Sequence, residues 1–374
     1  MKSSSGAKWG PALVGPACLL ILALGAFQAA AQIPTSPSFL SGKVQAWDQA
    51  GPALSARIES AAADVKAKKQ GDVFFVAYLF PARHKIRHHG CGGPDGPFEV
   101  AWRDGEIRFE HGGRGQSWDS DREKAPAGLL ALYAAPAKRP QAEDVRLLDP
   151  DETYEFKTVP VYWLGRVPVE ESLGVLEREF KQGAGDIQKS ALFAISAHDS
   201  PKAYDFLKEV ALGDYRTEVR KNAVFWIGES RDPRTVADLK SILAKSENGG
   251  VREQVAFALS RNGSREAIEE LLRIAKEDPD RATRKQAIFW LGQKASEEAV
   301  RGLKEIVEGP DEDLKDSAVF AISQLPKDKS VPMLIGIAKD NKSPSVRKKA
   351  LFWLGQTGSE EALKLFEEIL LKKD

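Results

Sequence analysis

From residue 159 onward, apolar residues recur at helical spacing in short segments separated by polar turns. In ATRKQAIFWLGQ (282–293) the apolar positions Ala287, Ile288 and Leu291 share one helical face. In SEEAVRGLKEIVEG (296–309) the stripe is Ala299, Val300, Leu303, Ile306 and Val307. The first segment carries an aromatic that returns at Tyr162, Phe193, Phe225, Phe257, Phe289, Phe320 and Phe352, in steps of 31, 32, 32, 32, 31 and 32 residues. A period this regular predicts a stack of repeated helix pairs, because neither helix of a pair can bury its apolar stripe alone. A capping residue stands where each second helix should begin, at Ser200, Asp232, Ser264, Ser296 and Ser359, with Pro201 and Pro233 directly after two of them.

The phrase around the aromatic alternates. Trp follows it at Trp163, Trp226, Trp290 and Trp353, and Ala takes that place at Ala194, Ala258 and Ala321. Gly165, Gly228, Gly292 and Gly355 likewise alternate with Ser196, Ser260 and Ser323. Large beside small across a stacking interface is what interdigitated packing requires, so the Trp column reads as packing; a ligand-binding aromatic ladder is the alternative. A second column lies five residues before each aromatic: Gln188, Arg220, Arg252, Arg284, Lys315 and Arg347. It reads as a set of ties to acidic turn residues such as Asp214, Asp278, Asp311 and Asp340, with a basic ladder for an anionic partner as the alternative.

Residues 32–158 do not repeat. A helix is expected between about Gly51 and Lys69, and VFFVAYLFP (73–81) reads as a buried strand. FEVAW (98–102) and EIRFEH (106–111) flank Arg103-Asp104-Gly105, a hairpin turn, and LLALYAA (129–135) and VRLLD (145–149) supply two more strands. The expectation is a small α+β domain with an antiparallel sheet, placed to cap the array's first layer.

The first 31 residues differ from the rest: Lys2 and Lys8 precede an apolar run to Phe27, and Ala29-Ala30-Ala31 closes it. That pattern predicts a secretory signal peptide, with cleavage before Gln32 and a periplasmic or secreted product. Its removal leaves 52 basic against 54 acidic side chains, which gives no footprint for nucleic acid or for membrane insertion. It also leaves Cys91 as the sole cysteine, so stability must come from packing rather than disulfides.

Chemistry is concentrated in ARHKIRHHGCGGPDG (82–96), where His84, His88, His89 and Cys91 are all possible metal ligands. Their spacing matches no familiar site, and Arg83, Lys85 and Arg87 would repel a cation, so the stretch reads as a basic loop between strands. The alternative keeps a metal-binding or enzymatic centre at 84–91 with the solenoid as its platform. No phosphate-cradling glycine loop, GxSxG turn or HExxH helix is present in the sequence.

The repeated VR-x-x-A-x-F helix followed by a capped amphipathic helix resembles the HEAT repeat, in the short variety of bilin-lyase-related proteins, over about 159–374. The resemblance implies a right-handed α-solenoid of about seven helix pairs that binds partners along its surface. HEAT-type hydroxylases carry His-Glu metal pairs in their repeats. Here the only repeat histidine is His198 and no such pair exists, so that activity does not carry over. The expected architecture is a signal peptide at 1–31, an α+β domain at 32–158 and a solenoid at 159–374. The expected role is that of an exported, non-enzymatic scaffold with no cofactor. Its partner would be a protein or peptide held on the exposed second-helix positions Asp205, Lys208, Lys240, Glu269, Arg301, Lys304 and Lys364.

Overall fold

A computed structural model gives the fold; it describes residues 37–47, 53–83, 85–89, 98–103, 106–110, 115–119, 126–134 and 140–371. Among these residues the N-terminal part is built on a seven-stranded sheet. Its strands are β1 (Leu40–Ala46), β2 (Val73–Pro81), β4 (Phe98–Arg103), β5 (Glu106–Glu110), β7 (Pro126–Ala134), β8 (Ala142–Leu148) and β9 (Tyr154–Arg166). The order is β5-β4-β9-β2-β7-β8, with β1 also on β9. The hairpins β4-β5 and β7-β8 are antiparallel, as is β2-β7, while β9 runs parallel to β1, β2 and β4. The sheet is therefore mixed, not antiparallel as the hairpin signals suggest, because its central strand is the last in sequence and enters between earlier ones. A separate antiparallel pair joins β3 (Lys85–His89) to β6 (Gly115–Asp119).

The same strand corrects the start of the repeat. VYWLG at 161–165 lies in β9, so the first aromatic-Trp phrase is a strand and the expected junction at 158/159 falls inside it. Trp163 is fully buried beneath Phe39, with which its ring makes an edge contact at 5.7 Å, and Tyr162 donates to Asp64 on α1 (Leu54–Lys68) at 2.8 Å.

After β9 comes α2 (Val169–Gln182) and then six helix pairs, which carry the six phrases from Phe193 to Phe352. The first helices of the pairs are α3 (Asp186–Ala197), α5 (Thr217–Glu229), α7 (Gly249–Asn262), α9 (Arg281–Gly292), α11 (Glu312–Ser323) and α13 (Pro344–Thr357). The second helices are α4 (Pro201–Leu212), α6 (Thr235–Lys245), α8 (Arg265–Glu277), α10 (Glu297–Glu308), α12 (Lys327–Asp340) and α14 (Glu360–Leu371). Caps are where the sequence puts them: Ser200, Ser264, Ser296 and Ser359 each accept from a first-turn backbone N–H. Asp232 sits one turn earlier, accepting from Arg234 N at 2.9 Å before α6 begins at Thr235.

Sheet and solenoid share one core. Phe74, Val76, Tyr78 and Phe80 of β2 belong to the same buried cluster as Leu176, Phe180, Leu192 and Ile195 of α2 and α3. Polar ties cross the junction: Leu54 N–H donates to the Glu171 carboxylate at 2.9 Å, and Ala142 N–H to that of buried Glu179 at 2.8 Å. Arg83 N–H reaches Ala197 O at 2.8 Å, and Ala82 forms an isolated bridge with His198. The sheet thus closes the first layer of the array, as a terminal cap must.

Candidate binding surface

Each first helix divides its residues between two faces. On α9 the residues Thr283, Ala287, Ile288, Leu291 and Gly292 are buried, while Gln286, Phe289 and Trp290 are only half-buried. The outer faces therefore bring the aromatic and Trp columns into one ladder. Phe193 meets Trp226 at 4.9 Å, Phe257 meets Trp290 at 4.9 Å and Phe320 meets Trp353 at 5.2 Å, each between adjacent layers. Phe225 stacks on Phe257 at 6.0 Å. The Trp side chains do pack layer on layer, but packing does not seal them: Trp226, Trp290 and Trp353 all keep part of their surface in solvent.

The alternation has a backbone cause. A Cβ built on Gly228 would come within 2.8 Å of Ala258 Cβ, and one on Gly292 within 2.7 Å of Ala321 O. The layers of Trp226 and Trp290 therefore each offer a glycine against which the following alanine layer closes. On the outer face, over α7, lies a groove of about 310 Å³ lined by Lys221, Phe225, Gln254, Phe257, Gln286 and Trp290, with Gly250 and Glu253 at its side. Trp226 Nε1 donates to Asn222 Oδ1 at 3.2 Å, whereas the buried Trp290 Nε1 has no hydrogen-bond partner among the described residues. What the groove offers is ring surface plus the amides of Gln254 and Gln286, each able to donate and accept. Sequence reasoning did not single out these polar residues. The signal was available: Asn222, Gln254 and Gln286 form a column three residues before Phe225, Phe257 and Phe289.

The second-helix residues singled out from sequence are distributed differently. Asp205 is exposed and bound by Arg234 Nη1 at 2.7 Å, and Lys208 reaches Asp238 at 2.6 Å. Lys240 lies 3.8 Å from Glu270, Glu269 is bound by Arg265 at 3.0 Å, and Lys304 lies 3.9 Å from Glu308. Arg301 and Lys364 are exposed. The bonds of Asp205, Lys208 and Lys240 run to the next layer, so those charges already serve the stack. Equivalent ties join Lys276 to Glu305 at 2.6 Å and Lys339 to Glu368 at 3.0 Å. Between α10 and α12 the corresponding positions hold Glu308 and Gly336, and a cavity of about 790 Å³ opens there beside Val307, Met333 and Ile337.

The basic column ties turns, but meets the expected acidic residues only at Arg252 and Arg284; Arg220 and Arg347 donate to turn carbonyls where Asp214 and Asp340 were expected. Arg252 binds Asp278 at 3.0 and 2.5 Å and Leu243 O at 2.7 Å; Arg220 donates to Ala211 O at 3.0 Å; Arg284 lies 3.7 Å from Asp311; and Arg347 donates to Asn341 O at 2.7 Å. The one histidine of the repeats is structural. His198 is fully buried, with Nδ1 2.8 Å from Ala194 O and Nε2 2.8 Å from Ser172 Oγ, which is itself 2.9 Å from Tyr78 Oη. A consistent donor order runs Tyr78 O–H to Ser172, Ser172 O–H to Nε2, and Nδ1–H to Ala194 O. Burial holds the imidazole pKa down to about 4 and pushes the Tyr78 phenol up.

Of the His-rich stretch, His84 and Cys91 lie outside the described residues, as does the segment 1–31. His88 and His89 fall in β3, opposite Gln116 and Gly115, so residues 85–89 are a strand where a loop was expected. Among the described residues no group of three or more His, Cys, Asp and Glu side chains is placed to hold a metal ion. No helix among them is long and apolar enough to cross a membrane.

Similarity to known proteins lies in the repeats. No curated protein sequence matches the chain. Among solved structures, human deoxyhypusine hydroxylase aligns with 55% of this chain and 92% of its own, at 16% identity and a TM-score of 0.27. The CpcE–CpcF phycocyanin lyase of Nostoc sp. aligns with 41% of this chain and 99% of its own, at 19% identity and a TM-score of 0.31. A designed armadillo repeat protein aligns with 52% and 99%, at 17% identity and 0.25. The family model for HEAT repeats matches residues 205–292 and 300–374. Residues 205–292 and 300–374 are accordingly HEAT repeats.

Proposed function

We propose that the protein is an exported, non-enzymatic scaffold whose solenoid holds a peptide segment of a partner protein along its first-helix surface. The observation that carries this reading is the groove over α7, where Phe225, Phe257 and Trp290 stay half-exposed beside Gln254 and Gln286. Rings left partly open to water in every layer keep apolar surface available for a partner. Amides beside them supply hydrogen bonds to a peptide backbone without fixing its sequence. On the second helices Asp205, Lys208 and Lys240 are engaged in ties between layers. Export is supported by the charge, apolar run and small-residue exit of residues 1–31.

The test is selection from a random-peptide library on immobilised full-length chain, followed by binding to a Phe257→Ser, Gln254→Ala variant whose circular dichroism matches the parent. Peptides that bind the parent and lose at least tenfold in affinity on the variant support the groove. Equal binding to both moves the function elsewhere. Fractionation of cells carrying the chain with and without residues 2–31 tests export separately.

A further inference from the structure

The groove over α7 is short, lined by rings and built from side chains alone, and these features restrict the backbone it can hold. Resting on the peptide-binding reading above, we infer that its occupant is a proline-rich segment in the polyproline II conformation, with prolines three positions apart.

The lining comes from three successive first helices: Phe225 from α5, Gln254 and Phe257 from α7, and Gln286 and Trp290 from α9. Phe257 is the middle ring, its centroid 6.0 Å from that of Phe225 and 4.9 Å from that of Trp290, so the outer rings are no more than about 11 Å apart. All three rings are half-buried. A ligand meets a shallow run of ring surface rather than a deep pocket.

A polyproline II helix has three residues per turn and rises about 3.1 Å per residue, so residues i and i+3 share a face about 9 Å apart. Two prolines of a P-x-x-P segment therefore reach the outer rings together, across Phe257. In a β-extended peptide the same face returns after about 6.6 Å or about 13 Å, short of the span or beyond it. Aromatic-lined grooves suit such segments for a second reason: the helix is ordered before it binds, so little of the modest apolar contact is lost to ordering.

Hydrogen bonding points the same way. The groove lies on helices, whose backbone groups are spent within each helix, so it offers a peptide no ladder of N–H and C=O groups. It offers instead the amides of Gln254 and Gln286, which make no side-chain hydrogen bond among the described residues. Their N–H groups suit the carbonyls of a chain that has lost its own donors at proline. A peptide without proline brings an N–H at every residue, and those turned onto the rings would be desolvated without an acceptor. Lys221 and Glu253 contribute one charge of each sign, so no surplus selects a charged segment.

The experiment is fluorescence anisotropy of labelled peptides on the full-length chain. The first peptide carries three prolines on a Ser/Gln background, each three positions from the next. The second has the same composition with the prolines two positions apart. The third and fourth replace every proline of the first with Ala or with Leu. The expected result is that the first binds at least tenfold more tightly than each of the others, and that Gln254→Ala with Gln286→Ala removes that advantage. An Ala or Leu peptide that binds as tightly as the first overturns the inference and leaves the peptide reading standing. So does failure of all four where the random library yields binders that need the groove. Failure of the four and of the library overturns both. The peptide series is read on the unmodified protein, so its outcome does not depend on how any variant folds.

Discussion

His198 links solenoid to sheet, with Nε2 on Ser172 Oγ, which meets Tyr78 Oη of β2, and with its ring stacked on Phe80. Its pKa is held near 4 against an ordinary 6.5, chiefly by burial, so between those values the unfolded chain binds a proton that the folded chain refuses. Stability from this group is full above pH 6.5 and falls as pH drops toward 4, by on the order of 3 kcal/mol. Urea unfolding at pH 7, 6, 5 and 4 should show that decline in the parent. A His198→Gln variant should be less stable at pH 7 and flatter across the range. Equal slopes would assign the pH dependence to other groups. Arg252 tests the column of ties in the same way. Its guanidinium is bidentate on Asp278, whose carboxylate is only 2% exposed, so Arg252→Met strands a buried charge and should cost about 3–5 kcal/mol. Removing the partly exposed Lys349 from Asp316 should cost less than about 1 kcal/mol, and a thermal melt of both variants distinguishes the two roles.

Among elements, the Gly–Ala contact between first helices sets how closely layers approach. Gly292→Ala would drive a methyl into the Ala321 backbone, and overpacking of this kind costs about 1–3 kcal/mol even though alanine favours a helix. The same change at Gly336, whose Cβ would meet nothing within 4 Å, should stabilise α12 by about 0.5–1 kcal/mol. Melting temperatures that move in opposite directions for the two variants would show the close approach at work. These packing columns were legible in the sequence because each depends on residue size at a fixed period. The strand β9 was not. Its VYWLG matches the helical phrase letter for letter in kind, but Pro160 precedes it and Tyr154 and Phe156 alternate with charged residues, both of which disfavour a helix. Partners decided the matter: Val161, Tyr162 and Trp163 lie between β1 and β2, contacts made by residues more than 80 positions away. The mixed sheet was hidden for the same reason, since hairpin signals report neighbours in sequence and β9 pairs only with distant strands. On the binding side, the aromatic columns were visible as a pattern. Their half-exposure was not, because a helix face that meets the next layer and one that meets water carry the same rings here.

At the scale of the whole molecule, the sheet and the repeats form one core but need not form one cooperative unit. A solenoid's layers contact only their neighbours, so its stability is close to a sum of layer and interface terms. The sheet contributes to that sum at one place, the junction with α2 and α3, where Tyr78 and Phe80 pack into the core and His198 stacks on Phe80 at 4.0 Å. A chain beginning at Val169 would expose Leu173, Leu176, Phe180, Leu192 and Ile195, all of them buried in the intact protein. It would also leave Ser172, His198 and Glu179 without the partners β2 and Ala142 provide. Hydrogen exchange on that shortened chain should therefore show residues 169–197 opening by several orders of magnitude more readily than in the full protein. Residues 249–371, in the third layer and beyond, should keep their protection, because the described N-terminal residues bond to the helices at Glu171, Ser172, Glu179, Ala197 and Ser230. If protection fell throughout, the array would be folding as a single unit nucleated by the sheet, and the binding surface would depend on it. If residues 169–197 kept theirs, α2 alone would suffice as the cap, and the sheet would be free to serve another purpose.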